Sequence, residues 1–199
     1  MKHAALSKSD KTIMNRNMLI TILALAWPTM LEQLMQTAVQ YIDTAMVGSL
    51  GTQATAAVGS TGTINWLVGN TISAVGVGFL SYISKAQGAN EQTAAKRAVS
   101  QAVLLTLILG IFLTILTASL SGMVPVWMQV DESIQRMASQ YFLILYLPML
   151  PRTASIIFGT VLRSAGDTKS PMKIGLFVNL INVAFNFLLI YPAREISLF

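Results

Sequence analysis

Five long apolar runs, at about residues 18–47, 53–83, 98–125, 137–162 and 173–191, constrain this chain more than any other feature. Each approaches or exceeds the ~20 residues that a helix needs to cross a hydrocarbon core. In hydrocarbon a backbone must satisfy its own hydrogen bonds, so largely apolar runs of this length fold as helices. Only 11% of the residues are charged, against about 25% in a soluble domain, and the mean hydropathy is +0.62. The fold class expected is therefore all-α and polytopic, with about five transmembrane helices. The breaks carry turn chemistry: "VGSLGTQ", "SKAQGANEQTAAKR", "VPVWMQVDESIQRM" and "RSAGDTKSPMK". Pro148 and Pro151 fall inside the fourth run and are expected to kink or break it.

The first run is too long for the apolar part of a signal peptide, so it reads as an uncleaved helix. Basic residues alternate between the two sets of ends. Ten Lys and Arg lie in the N-terminal tail (1–17), the second loop and the fourth loop, and two lie in the opposite set. This bias places the N-terminus in the cytoplasm and, after five crossings, the C-terminus outside. The pattern suits a bacterial plasma (inner) membrane. The formal charge of +5 is thus topological and points to the lipid bilayer rather than to nucleic acid. There is no Cys, and the only His is His3. Thiolate sites, histidine zinc sites and Ser-His-Asp triads are excluded. No convergent acid–base set stands out, so the chain does not read as an enzyme.

The informative residues are the polar ones inside the runs. At about 100° per residue, Glu32, Asp43, Gln36, Thr29 and Gln40 share an arc of about 80° on the first helix. A charged residue at a helix centre costs roughly 2.5–3.5 kcal/mol on insertion scales, so this stripe must face protein or a water-filled cavity. In the fifth run Asn179, Asn182 and Asn186 also share one face. Side-chain carbonyls beside a carboxylate suit a hard monovalent cation, although an amide ladder between helices is an alternative. Such a site would bind either a proton or a cation. Arg152 lies inside the fourth run. Counting rise along the helices places Glu32 about 22 Å from Asn17 and Arg152 about 16 Å from Arg163. Those depths predict a Glu32–Arg152 ion pair that leaves Asp43 free for chemistry.

Two motifs then coincide with a known family. "ALAWPTMLEQLMQTAVQYIDTAMVGSLGTQATAAVG" resembles the first-helix signature of multidrug and toxic compound extrusion (MATE) transporters. "LRSAGDTKSPMKIGLFVNLINVAFNFLLIY" resembles their fourth loop and fifth helix. The resemblance covers roughly residues 18–191. It implies a twelve-helix protein of two six-helix lobes that exports organic, often cationic, compounds in exchange for protons or sodium ions. By the same resemblance Asp43, Asn182 and Asn186 form the cation or proton site, and Pro28 is where the first helix bends. Gln36, Gln40, Asn179, Glu32 and Arg152 would line the cavity or support the site. The chain would be most of the N-terminal lobe, with 192–199 a truncated end and a C-terminal lobe as its missing partner. No cofactor is implied beyond a sodium ion. The alternative from another class is a membrane scaffold or assembly subunit whose polar residues only pack helices.

Overall fold

The computed structural model describes residues 8–196, with side chains described for 17–190. The expected tail and the expected end thus lie largely outside the described side chains. The helices run α1 Lys8–Gly48, α2 Thr52–Gly88, α3 Gln92–Leu120, α4 Val124–Trp127, α5 Glu132–Tyr146, α6 Met149–Ser164 and α7 Lys169–Ile196. Four of them, α1, α2, α3 and α7, are long and apolar enough to cross a membrane. The pair α5 and α6, bent by 49°, counts as one further span, the fourth in chain order. The protein is an integral membrane protein of helical fold.

The bend has its cause in the two prolines. Pro148 lacks an N–H and stands between α5 and α6 as the N-cap of α6. Pro151 follows in the first turn of α6, where its missing donor has no intrahelical partner to lose. The third run is also divided. α3 ends at Leu120, and the four-residue α4 restarts with Pro125 near its first position. Residues 98–125 are therefore one helix plus a separate turn.

Packing inverts the pattern of a soluble protein. The buried stripe of α3 is Ala95, Ala98, Ala102, Thr106, Gly110 and Thr117, while Leu104, Ile108, Phe112 and Ile115 are exposed. Between apolar lipid and protein there is little hydrophobic gain in burying Leu or Phe, so small residues that admit a neighbouring backbone hold the interfaces. The buried hydroxyls of Thr106 and Thr160 are satisfied inside their own helices. Thr106 donates to the Ala102 carbonyl at 2.7 Å, and Thr160 donates to that of Ile156 at 2.7 Å. α6 packs on both α2 and α3 around Ile72, Phe142, Tyr146, Met149 and Ile157. The second grouping is α1 against α7, joined to the first through α2 and α6.

The turn between α6 and α7 fixes where Arg163 and the start of α7 stand. Gly166 has φ +85°, a left-handed value that side chains rarely adopt. Its N–H donates to the Arg163 carbonyl and that of Asp167 donates to Leu162, closing the end of α6. Asp167 then accepts the Ser170 N–H at 3.0 Å and starts α7.

Asp131 opens α5 in the same way. It accepts from the Ser133 hydroxyl at 2.6 Å and from the Ser133 N–H at 2.9 Å. The Ser133 hydroxyl, and then its backbone N–H, hold the Asp131 carboxyl below the usual carboxylate range. Because the folded value is the lower one, this cap is complete above the ordinary aspartate pKa of about 3.9 and is lost as pH falls through the folded value. NMR titration of Asp131 should give a midpoint below that of an aspartate in an unfolded peptide. Ser133→Ala should raise it.

Candidate cation site on the α1–α7 pair

α1 and α7 pack against each other in a constant register. Asp43 meets Asn186, an offset of 143 residues. Eleven residues earlier Glu32 meets Gly175 at the same offset, and a Cβ on Gly175 would lie 3.4 Å from the Glu32 Cγ. Eleven residues are about three helical turns, so the two helices run parallel with matched faces. The α1 stripe that does this is Pro28, Glu32 and Val39, all buried, continued by the partly buried Met35, Asp43 and Met46. On α7 it is Pro171, Gly175, Asn179, Val183 and Asn186. Both follow the three- and four-residue spacing of a helix face.

At the far end of this seam the expected constellation forms. The Asn186 Nδ2 donates to Asp43 Oδ1 at 2.6 Å and to Asn182 Oδ1 at 3.2 Å. Two oxygens from two helices therefore converge on one point, held by an amide that carries an oxygen of its own. Asn179 lies on the same face, and its amide nitrogen is buried with no hydrogen-bond partner. Among the described residues no cluster of three His, Cys, Asp or Glu could hold a metal. A cation here would rely on one carboxylate and neutral carbonyls, a donor set suited to a hard ion.

The supporting residues divide. Gln36 and Gln40 are exposed, flanking the seam on α1, and Thr29 is half-buried. Pro28 is buried inside the continuous α1. Arg152 is half-buried on α6 and reaches α2, where a Cβ on Gly69 would lie 3.8 Å from its Nη2.

The expected Glu32–Arg152 pair does not form. Glu32 Oε2 accepts from Arg163 Nη2 at 2.7 Å. Counting depth along single helices misses this for two physical reasons. It measures Glu32 from Asn17, whereas the α1–α7 register sets Glu32 beside Gly175, six residues into α7. It also places Arg163 at its Cα. Helical side chains lean toward the N-terminus of their helix, and this guanidinium lies beside Gly159, a turn earlier. By position in the sequence Arg163 is only a loop charge. The lean of its side chain is the signal that could have found it.

Comparison with known proteins agrees with this architecture. The MatE family profile matches residues 28–188. A protein of Thermotoga maritima named probable multidrug resistance protein NorM is 26% identical over 170 residues, covering 85% of this chain and 37% of the relative. A protein of Shewanella oneidensis named FAD transporter is 27% identical over 156 residues, 75% of this chain and 33% of the relative. A solved structure of a MOP superfamily transporter from Pyrococcus furiosus superposes with a TM-score of 0.82 at 24% identity, covering 87% of this chain and 38% of that one. The chain thus spans little more than a third of the length of the curated relatives it matches. Since the family profile runs from the buried Pro28 of α1 almost to the end of the described side chains of α7, taking in both halves of the Asp43–Asn186 contact, this chain belongs to the MatE family.

Proposed function

We propose that this chain forms most of the N-terminal lobe of an exporter that exchanges protons or sodium ions for organic compounds by alternating access. The one observation that carries the coupling part is the meeting of Asp43, Asn182 and Asn186 across two parallel helices. A carboxylate inside a membrane span is costly, and such residues mark ion or proton pathways. Turning the Asn186 amide over would direct a third oxygen at the point where Asp43 Oδ1 and Asn182 Oδ1 already converge. Protonation of Asp43 would instead leave the amide where it stands. Either occupant cancels the Asp43 charge, so occupancy changes the net charge of the site. The names of the relatives support export of small molecules as the process being driven.

Coupling follows from linkage. If a cation at Asp43 favours the form with low affinity for cargo, cargo must weaken cation binding by the same factor. Pro28, inside α1 fifteen residues before Asp43, offers the place where that helix bends between forms. The Lys and Arg distribution supports a cytoplasmic N-terminus in a bacterial inner membrane. In this reading the cavity lies between this lobe and a C-terminal one, and the exposed Gln36 and Gln40 line it.

Carbodiimide labelling of Asp43 in the full chain tests the proposal. Sodium ions or a lowered pH should change the labelling rate several-fold, and Asn186→Ala should diminish the sodium effect. Labelling that ignores both would favour the scaffold reading, in which the polar residues only join helices. In the twelve-helix protein, Asp43→Asn should abolish ion-driven export while leaving membrane insertion intact.

A further inference from the structure

We infer that Arg152 is a recognition point for an acidic group, a carboxylate or phosphate, on the transported compound. Arg152 is a fixed positive charge on the bent fourth span, four residues past the break at Pro148. Among the described residues the only ion pair is Glu32–Arg163, so Arg152 has no carboxylate partner. Its guanidinium makes no hydrogen bond among the described residues either. A charged side chain at this position is expensive to insert and is ordinarily matched by a counter-charge or exposed to a water-filled cavity. Arg152 is half-buried rather than fully enclosed.

Two buried hydroxyls without a partner stand close to Arg152 along the chain. Tyr146, the last residue of α5, is 0% exposed, and its hydroxyl has no hydrogen-bond partner. Thr153, next to Arg152, is also 0% exposed, with its hydroxyl equally unpartnered. Interior threonines elsewhere in the bundle donate to a carbonyl of their own helix, as Thr106 and Thr160 do. A buried hydroxyl left without a partner is destabilising. Tyr146 and Thr153 flank the break between α5 and α6. The start of α6 has no side-chain cap. The N-terminus of a half-helix in mid-span carries a partial positive charge that favours an anionic group. Gly69 on α2 faces the guanidinium, whose Nη2 lies 3.8 Å from where a Cβ would stand. The unpartnered Asn65 Oδ1, one turn before Gly69, supplies an acceptor for an N–H or O–H of the same molecule.

This inference rests on the export reading in one respect, that the ligand is cargo. It narrows the cargo to anions or zwitterions, where the family resemblance alone suggested cations. Fluorescein and rhodamine 123 share a xanthene frame and carry opposite charge, so fluorescence anisotropy with the full chain in lipid nanodiscs separates the two cases. Wild type should bind fluorescein about tenfold or more tightly than rhodamine 123, the scale of one charge-assisted contact. Arg152→Gln should erase that preference, and Arg152→Lys should keep part of it. Equal or tighter binding of rhodamine 123 by wild type overturns the inference, and so does unchanged fluorescein binding by Arg152→Gln. If Arg152→Gln fails to fold, the wild-type ratio and Arg152→Lys decide. Loss of cation effects on Asp43 labelling would remove the coupling proposal while leaving this result standing.

Discussion

Glu32→Gln should destabilise the bundle by roughly 3 kcal/mol, the scale of breaking a buried ion pair by removing one partner. Glu32 is 8% exposed and the Arg163 side chain 22% exposed, so water offers Arg163 little replacement. The Arg163 Nε is already buried without a hydrogen-bond partner. The Glu32 carboxylate is its only ion-pair partner among the described residues. The pair ties α1 to the end of α6 beside Gly175 of α7, so three helices lose a shared tie. Arg163→Gln should cost a similar amount. In a double-mutant cycle the two should show a coupling of about 2 kcal/mol in detergent unfolding, whereas Glu32→Gln with Arg152→Gln should add within about 0.5 kcal/mol. Additivity for Glu32 with Arg163, or coupling of Glu32 to Arg152, would contradict the observed geometry.

Gly110→Val carries the second large effect, a loss of about 2–3 kcal/mol from overpacking. A Cβ at Gly110 would lie 2.9 Å from the Leu150 Cα and 2.7 Å from its Cδ1. The first contact is with backbone, which no rotamer change relieves. α3 and α6 must therefore separate, and Gly110→Ala should already cost a measurable part of the loss. Gly78→Ala is the control. It has nothing within 4 Å, and a helical Ala should leave stability unchanged or raise it by up to about 1 kcal/mol. Leu150 stands between Pro148 and Arg152, so pushing α6 away also displaces the guanidinium. Fluorescein binding should fall in Gly110→Val along with stability. A Gly110→Val protein as stable as Gly78→Ala would show that α3 and α6 do not cross this closely.

The sequence by itself determined the helical membrane class, the five-span plan and the break in the fourth span. These arise from local causes: uninterrupted apolar length, clustered turn formers, and two prolines that deny the helix its donors. It also placed Glu32 and Asp43 on one face of the first helix and the three asparagines on one face of the last, because a regular helix converts spacing into direction. Resemblance to a family added that Asp43 belongs with Asn182 and Asn186, which helical spacing within one segment cannot say.

Only the tertiary structure decided how those faces meet. The register of α1 on α7 is a relation between segments 143 residues apart, and it depends on Gly175 admitting the Glu32 side chain. It split one polar stripe into two environments, with Glu32 and Asp43 in the seam and Gln36 and Gln40 outside it. It gave Glu32 to Arg163 and left Arg152 without an acid among the described residues, because side-chain reach and helix register shift charges by a turn or more from where Cα positions place them.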